Sequence, residues 1–248
     1  GRKKPDITAP GNDTFTCAPN PKKYKINYTN DMNYQDGYRL MGGTSSAAPH
    51  VGGAVLLLKE AGIANPMAIK ALLINSADSW TDNKVPGPND PQYDYKGGHR
   101  PQLGSEWNPT YGWGYMNLES AFYQRHNIFE GAISLKNPSI EYKLRVLTTD
   151  KITLVHERRV GFNELGTYWQ LSHLKLQMFD AKSHQLLAED ASAIDNVHQI
   201  SICKAARPKQ CINSHPRETI IRVSLVNALI EGSKQEDFAL AFSSPKTT

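Results

Sequence analysis

Gly43-Thr44-Ser45-Ser46-Ala47-Ala48-Pro49-His50-Val51-Gly52-Gly53 places a hydroxyl at the mouth of a glycine-rich apolar helix. Gly42 and Gly43 allow a tight turn, Thr44 and Ser45 are helix-start residues, and Pro49 suits an opening helical turn. From Val51 to Leu58 the chain is apolar on nearly every face, which predicts a helix buried on all sides. A serine at the start of such a helix has backbone N–H groups and the positive end of the helix dipole beside it, where an oxyanion would form. Serine in this position is most often a plain N-cap, so the surrounding residues decide its role.

Working outward, Asn12 to Arg39 is rich in Asn, Asp, Lys and Tyr. It is too polar for core and long for a connection, which predicts a surface insertion. Asn65-Pro66 supplies an N-cap and a first-turn proline for a second helix running to about Ser76, with Ala68, Leu72, Leu73 and Ile74 on its apolar face. Trp80 to Glu106 shows no period and carries Pro86-Gly87-Pro88, Gly97-Gly98 and Pro101, the composition of a second long surface loop. After Arg125 the pattern alternates. Ile140, Tyr142, Leu144 and Val146 share one strand face, as do Leu174, Leu176 and Met178, then Ile221, Val223 and Leu225, then Phe238, Leu240 and Phe242. With Lys151 to Val155 and Val197 to Ile202, six or more strands predict an antiparallel sandwich or jelly roll.

Gly43-Thr44-Ser45-x-Ala47-x-Pro49-His50-Val51-x-Gly53 resembles the nucleophile signature of the subtilisin-like serine proteases, with Ser45 in the nucleophile's place. Ser46 stands where that family most often has methionine. Lys4-Pro5-Asp6-Ile7-Thr8-Ala9-Pro10-Gly11 looks like the strand and turn these proteases carry before the nucleophile. Tyr111-Gly112-Trp113-Gly114-Tyr115-Met116-Asn117 looks like their closing turn, leading into a helix at about Leu118 to Arg125. The resemblance implies an α/β fold: residues 1–125 as the C-terminal half of a parallel-sheet catalytic domain, and residues 126–248 as an all-β antiparallel sandwich of jelly-roll type. The second part resembles the C-terminal β-domain of certain subtilases. In those relatives the strand like His173-Leu174-Lys175-Leu176 usually alternates aspartates with apolar residues. His173 and Lys175 stand in those places, so no metal site is expected and a structural calcium finds no support here.

The resemblance also defines what is missing. The family's triad runs Asp, His, Ser along the chain, yet none of the 44 residues before Ser45 is a histidine and all eight histidines follow it. His50 belongs to the signature, where the family's residue is structural, and Asp6 is read as part of the pre-nucleophile turn. The oxyanion asparagine of the family also lies earlier. Ser45 would attack a peptide carbonyl, and its backbone N–H, with Thr44 contributing, would donate to the oxyanion. The catalytic Asp, His and oxyanion Asn would come from an upstream segment, the expected partner, and polypeptides are the expected substrates. Gly1 reads as a cut, and this chain alone is expected to be inactive.

Hydrophobic residues make up 39% of the 248, enough for folded cores. The net charge of +4 is scattered over Arg2-Lys3-Lys4, Lys22-Lys23 and Arg158-Arg159, a solvated surface and not a nucleic-acid footprint. No apolar run is long enough to span a membrane. The three cysteines are an odd number. Cys203 and Cys211 bracket a polar loop at a spacing that suits a local disulfide, and Cys17 is left over. Asn12-Asp13-Thr14 and Asn27-Tyr28-Thr29 are glycosylation sequons. Cysteines and sequons together point to a secreted or lumenal protein. Two other functions fit less of the sequence: an inactive relative kept as a scaffold, and a glycan- or protein-binding β-module.

Overall fold

The computed structural model describes residues 2–12, 14–17, 38–78, 107, 109, 111–202, 215–227 and 229–243. Cys203, Cys211, Asn27 and the stretch 79–106 fall outside them. Two short strands, β1 (Thr14–Cys17) and β2 (Tyr38–Met41), pair antiparallel with Thr14 opposite Met41 and Cys17 opposite Tyr38. They close the base of the polar insertion. Cys17 is exposed and its thiol is free.

Helix α1 (Thr44–Glu60) follows at once. Its surroundings differ from the expectation of burial on all sides. Ser46, Ala54 and Leu58 are buried, whereas Leu56 and Leu57 are 68% and 54% exposed and Gly52 and Gly53 face solvent. An all-round apolar sequence states that a helix is suited to burial, and among the described residues only one side of α1 is covered.

Helix α2 (Pro66–Ser76) starts where Asn65 caps it, the Asn65 side chain accepting from Met67 N at 2.9 Å, with Pro66 in the first turn. Every residue from Ala68 to Ser76 except Lys70 is buried. A short helix α3 (Leu118–Tyr123) is capped by Asn117, whose side chain accepts from Ser120 N.

The remaining chain forms two four-stranded antiparallel sheets and a separate hairpin. One sheet has the order β10-β5-β12-β3, from Val197–Ile200, Ile152–His156, Gln235–Phe242 and Ile128–Ser134. The other has the order β4-β11-β8-β9, from Ser139–Val146, Arg217–Leu225, Leu174–Asp180 and Leu186–Ala191. Between them lies an apolar core containing Ile152, Leu154, Leu174, Leu176, Met178, Ile221, Val223, Phe238, Leu240 and Phe242. The hairpin is β6 (Arg159–Asn163) with β7 (Gly166–Gln170).

The first sheet is buried on both faces, which explains why all five residues of β5 are buried. The alternation in β12 shows how this is achieved. Phe238, Leu240 and Phe242 point into the space between the sheets, while Ala239 and Ala241 join Val155 and Val197 in a second core with α1 and α2. Small side chains on that face let α2 approach the strands closely. A buried polar seam accompanies this contact: Thr153 Oγ1 lies 3.0 Å from the Asn75 carboxamide and accepts from Gln199 Nε2 at 2.9 Å.

Candidate active site

Gly43 caps α1 with φ 86° and ψ −177°, a backbone region that only glycine occupies without strain. Its N–H donates to the carbonyl of Gly11, and its own carbonyl accepts from Ser46 N at 3.0 Å and Ala47 N at 3.2 Å. A side chain at Gly11 would press on Gly43 O at 3.1 Å and the Ala47 Cβ at 3.3 Å. Two glycines thus lock the turn before Ser45 against the helix start.

This turn separates the two serines. Ser45 is exposed, whereas Ser46 is 3% exposed. Ser45 is also the second residue of α1, where the backbone N–H has no intrahelical acceptor and faces outward from the positive end of the helix. Pro49 sits in the second turn, one turn deeper than the sequence suggested. Lacking an N–H, it leaves the carbonyl of Ser45 without its helical donor. Among the described residues no hydrogen bond reaches the Ser45 hydroxyl. Thr44 is exposed beside it.

His50 is half-buried, and its Nδ1 lies 2.8 Å from Ser46 O. Asp6 is held by Lys4 and by Lys70, the latter at 3.3 Å. Burial pushes the Lys70 amine below the usual lysine range, with Asp6 opposing that shift. Both groups are thus engaged in contacts of their own.

The flanking blocks named from sequence meet in space. Thr8 N donates to Gly114 O at 2.9 Å and Met116 N to Thr8 O at 2.8 Å, while Asp78 and Tyr115 exchange two backbone bonds of 2.8 and 2.9 Å. Trp113 N donates to Asp6 O at 2.8 Å. Gly112 and Gly114 have positive φ, and a Cβ on either would come within 2.5 and 2.2 Å of the carbonyls of Asp6 and Asp78. These contacts make a close-packed junction at the base of the segment that leads through Gly11 to the Ser45 turn. Next to it, α1 and α2 frame an apolar cavity of about 390 Å³ lined by Ile7, Val51, Val55, Ile69, Leu73 and Ile74.

Asn12 is exposed. His173 and Lys175 are partly buried at β8, and among the described residues no group of three or more His, Cys, Asp or Glu could hold a metal ion. No helix among them is long and apolar enough to cross a membrane.

Two features escaped the sequence reading. The β6–β7 hairpin exposes Phe162 at 79% and Leu165 at 98%, with Val160, Tyr168 and Trp169 also exposed. Its signal was the Asn163-Glu164-Leu165-Gly166 turn between two short apolar-polar runs. The second feature is a pair of buried imidazoles, His156 and His198, each following a buried valine in its strand.

Residues 1–114 match the model of the subtilase family. Subtilisin-like protease SBT4.1 of Arabidopsis thaliana is 36% identical over 97 residues, covering 39% of this chain and 12% of the relative. Subtilisin-like protease SBT1.9 of the same plant is 39% identical over 75 residues, covering 30% of this chain and 10% of the relative. The matched stretch is thus about a tenth of the length of these curated relatives. Among solved structures, PliG of Aeromonas hydrophila, a periplasmic lysozyme inhibitor of g-type lysozyme, covers 47% of this chain and 82% of its own at 12% identity. Its TM-score of 0.27 is too low for any argument about fold. The sequence matches relate the Ser45 segment to subtilisin-like serine proteases.

Proposed function

We propose that this chain is the nucleophile-bearing part of a secreted or lumenal serine endopeptidase of the subtilisin-like kind. The observation that carries the reading is the contrast between adjacent serines: Ser45 is exposed at the helix start behind a glycine-only turn, and Ser46 is buried.

In this reading Ser45 Oγ attacks the carbonyl carbon of a bound peptide while its proton passes to an imidazole from an upstream segment. The backbone N–H of Ser45, with Thr44 contributing, donates to the developing oxyanion. The dipole of α1, a helix of 17 residues, favours negative charge at the same end. The glycine turn holds Ser45 rigid, so positioning needs no rearrangement at the moment of reaction.

The upstream segment has a second task here. Leu56 and Leu57 leave an apolar face of the nucleophile helix exposed. The segment carrying the missing Asp and His covers that face, so assembly completes the core and the triad together. Residues 1–125 and 126–248 act as the catalytic part and a β-domain respectively, with Cys203 bonded to Cys211 and glycans at Asn12 or Asn27. A fluorophosphonate probe tests the proposal directly. It should label Ser45 in the assembled protein and leave the isolated chain unlabelled.

A further inference from the structure

His156 of β5 and His198 of β10 stack parallel, with ring centroids 5.6 Å apart and an interplanar angle of 2°. Both side chains are fully buried, and among the described residues none of their four ring nitrogens has a hydrogen-bond partner. Each ring has a carboxylate beyond hydrogen-bond reach: Glu236 Oε1 is 3.6 Å from His156 Nδ1, and Asp190 Oδ1 is 3.8 Å from His198 Nδ1. Glu236 is otherwise engaged, accepting from Glu157 N at 3.0 Å and from Ser172 Oγ at 2.6 Å.

The stack lies where the Ser45 segment joins the β region. Lys3 Nζ is 3.6 Å from Asp190, and Lys3 N donates to Asp195 Oδ1 at 2.8 Å. Arg2 donates to Asn196 Oδ1 at 2.6 Å, and Asn196 Nδ2 donates to His156 O at 2.8 Å. Arg2 and Lys3 are therefore fastened to residues that surround the stack, while Asp6 and Thr8 further along the segment bond to residues 113–116. From there it runs through Gly11 to the Gly43 cap.

We propose that the His156–His198 stack is an acid-sensitive latch: it holds the segment at Arg2 and Lys3 against the β region at neutral pH and releases it when His156 takes up a proton. The charges around it set the threshold. Three carboxylates, Asp190, Asp195 and Glu236, face two cations, Arg2 and Lys3. Charging both buried rings would set two like charges side by side, with ring centroids 5.6 Å apart, as an excess of positive charge between the strands. His173, within electrostatic reach of His198, and Lys175 beside it add to that excess. Arg158, over the Trp169 ring and near Arg2, adds more at the rim. Separating the segment from the β region hydrates both rings and relieves the repulsion.

The protonation preferences agree in sign. Burial pushes His156 below the ordinary histidine range, a shift that Glu236 opposes and His198 reinforces. An unfolded His156 takes its proton near the usual value of about 6.5. The released state therefore binds more protons just below that pH, and stability of the closed seam falls as pH falls through the window. Burial works against ionisation of Asp190, yet His198, then Lys3 and Gln199 N–H, hold its carboxyl down at about 2. It stays charged throughout the transition, so His156 is the switching group.

The test is hydrogen exchange on the 248-residue chain between about pH 7.5 and 5, corrected for intrinsic rates, with the imidazole resonances followed by NMR. Protection of peptides spanning residues 2–11 should fall about tenfold or more, the equivalent of one pKa unit, with a midpoint below the ordinary histidine value. The His156 resonances should move in the same window. His156→Phe keeps a stacked ring without a titratable proton and should leave residues 2–11 protected at acid pH. Unchanged protection in the wild-type chain would overturn the proposal, as would wild-type pH dependence retained in a folded His156→Phe. If that variant does not fold, the wild-type chain decides alone: His156 charging while residues 2–11 stay protected would contradict the latch.

Discussion

His50 Nδ1 lies 2.8 Å from the carbonyl oxygen of Ser46, one turn back on the same helix. A carbonyl only accepts, so Nδ1 is the protonated nitrogen and the ring is tied down along α1. That bond gives the signature histidine a structural reason to exist. His50→Ala should lower stability by about 1 kcal/mol, the net value of one such bond. Fluorophosphonate labelling of the assembled protein should keep its wild-type rate and pH midpoint. Loss of labelling in a folded His50→Ala variant would assign this ring a chemical role.

The glycines of the site make two distinguishable demands. At Gly114 a Cβ would sit 2.2 Å from Asp78 O, whereas at Gly43 nothing lies within 4 Å and only the positive φ forbids a side chain. Gly114→Ala should therefore prevent folding or cost more than about 3 kcal/mol, because backbone must move. Gly43→Ala should cost about 1–3 kcal/mol of backbone strain and shift the start of α1. Denaturant titrations of both variants check the ranking.

How far the sequence could be read follows from which contacts are local. Residues 43–53 carry their constraints in their own backbone, so the turn and the helix start were legible, whereas the crowding of Gly112 and Gly114 against the carbonyls of Asp6 and Asp78 is a distant contact that the sequence does not show. The Phe-Ala-Leu-Ala-Phe run of β12 announced a strand, but not that its alanines face a helix. That depends on α2, more than 150 residues earlier. For the same reason α1 could be recognised as apolar all round while its neighbours could not be counted, and Leu56 and Leu57 proved exposed. The β6–β7 hairpin was missed because it has no core-facing alternation to betray it. Single histidines in buried strands carry no period, so the His156–His198 stack had no sequence signal.

Because the apolar face of α1 is open here and is proposed to be covered on assembly, the same substitution should act differently in two contexts. Leu56→Glu and Leu57→Glu should change the stability of the isolated chain by no more than about 0.5 kcal/mol, as for ordinary surface positions. In the presence of the upstream segment the same changes should prevent stable association, since a carboxylate would enter an apolar contact. Thermal melts and size-exclusion chromatography read the two effects separately. Equal tolerance in both contexts would mean that something else covers this helix.

Thr153 is fully buried between α2 and β5 and links Asn75 to Gln199. Thr153→Val keeps the shape and removes the hydroxyl, leaving two buried amides short of a partner. A loss of about 1–3 kcal/mol is expected. Since α2 and the first sheet share a core, the variant should unfold in one transition, earlier than wild type. Two separated transitions in circular dichroism would show that the Ser45 segment and the β region are energetically independent.

Ser45 is proposed as a nucleophile whose base lies outside these 248 residues, and covalent labelling reads this out at the residue itself. A serine hydroxyl reacts poorly at neutral pH without an adjacent base. Treated with a fluorophosphonate and mapped by mass spectrometry, the chain assembled with its upstream segment should carry the label on Ser45. The isolated chain should carry none. Ser45→Ala should abolish labelling, while Ser46→Ala should largely preserve it. Label on Ser46, robust labelling of the isolated chain, or no label on a folded and unblocked assembly would each contradict the account.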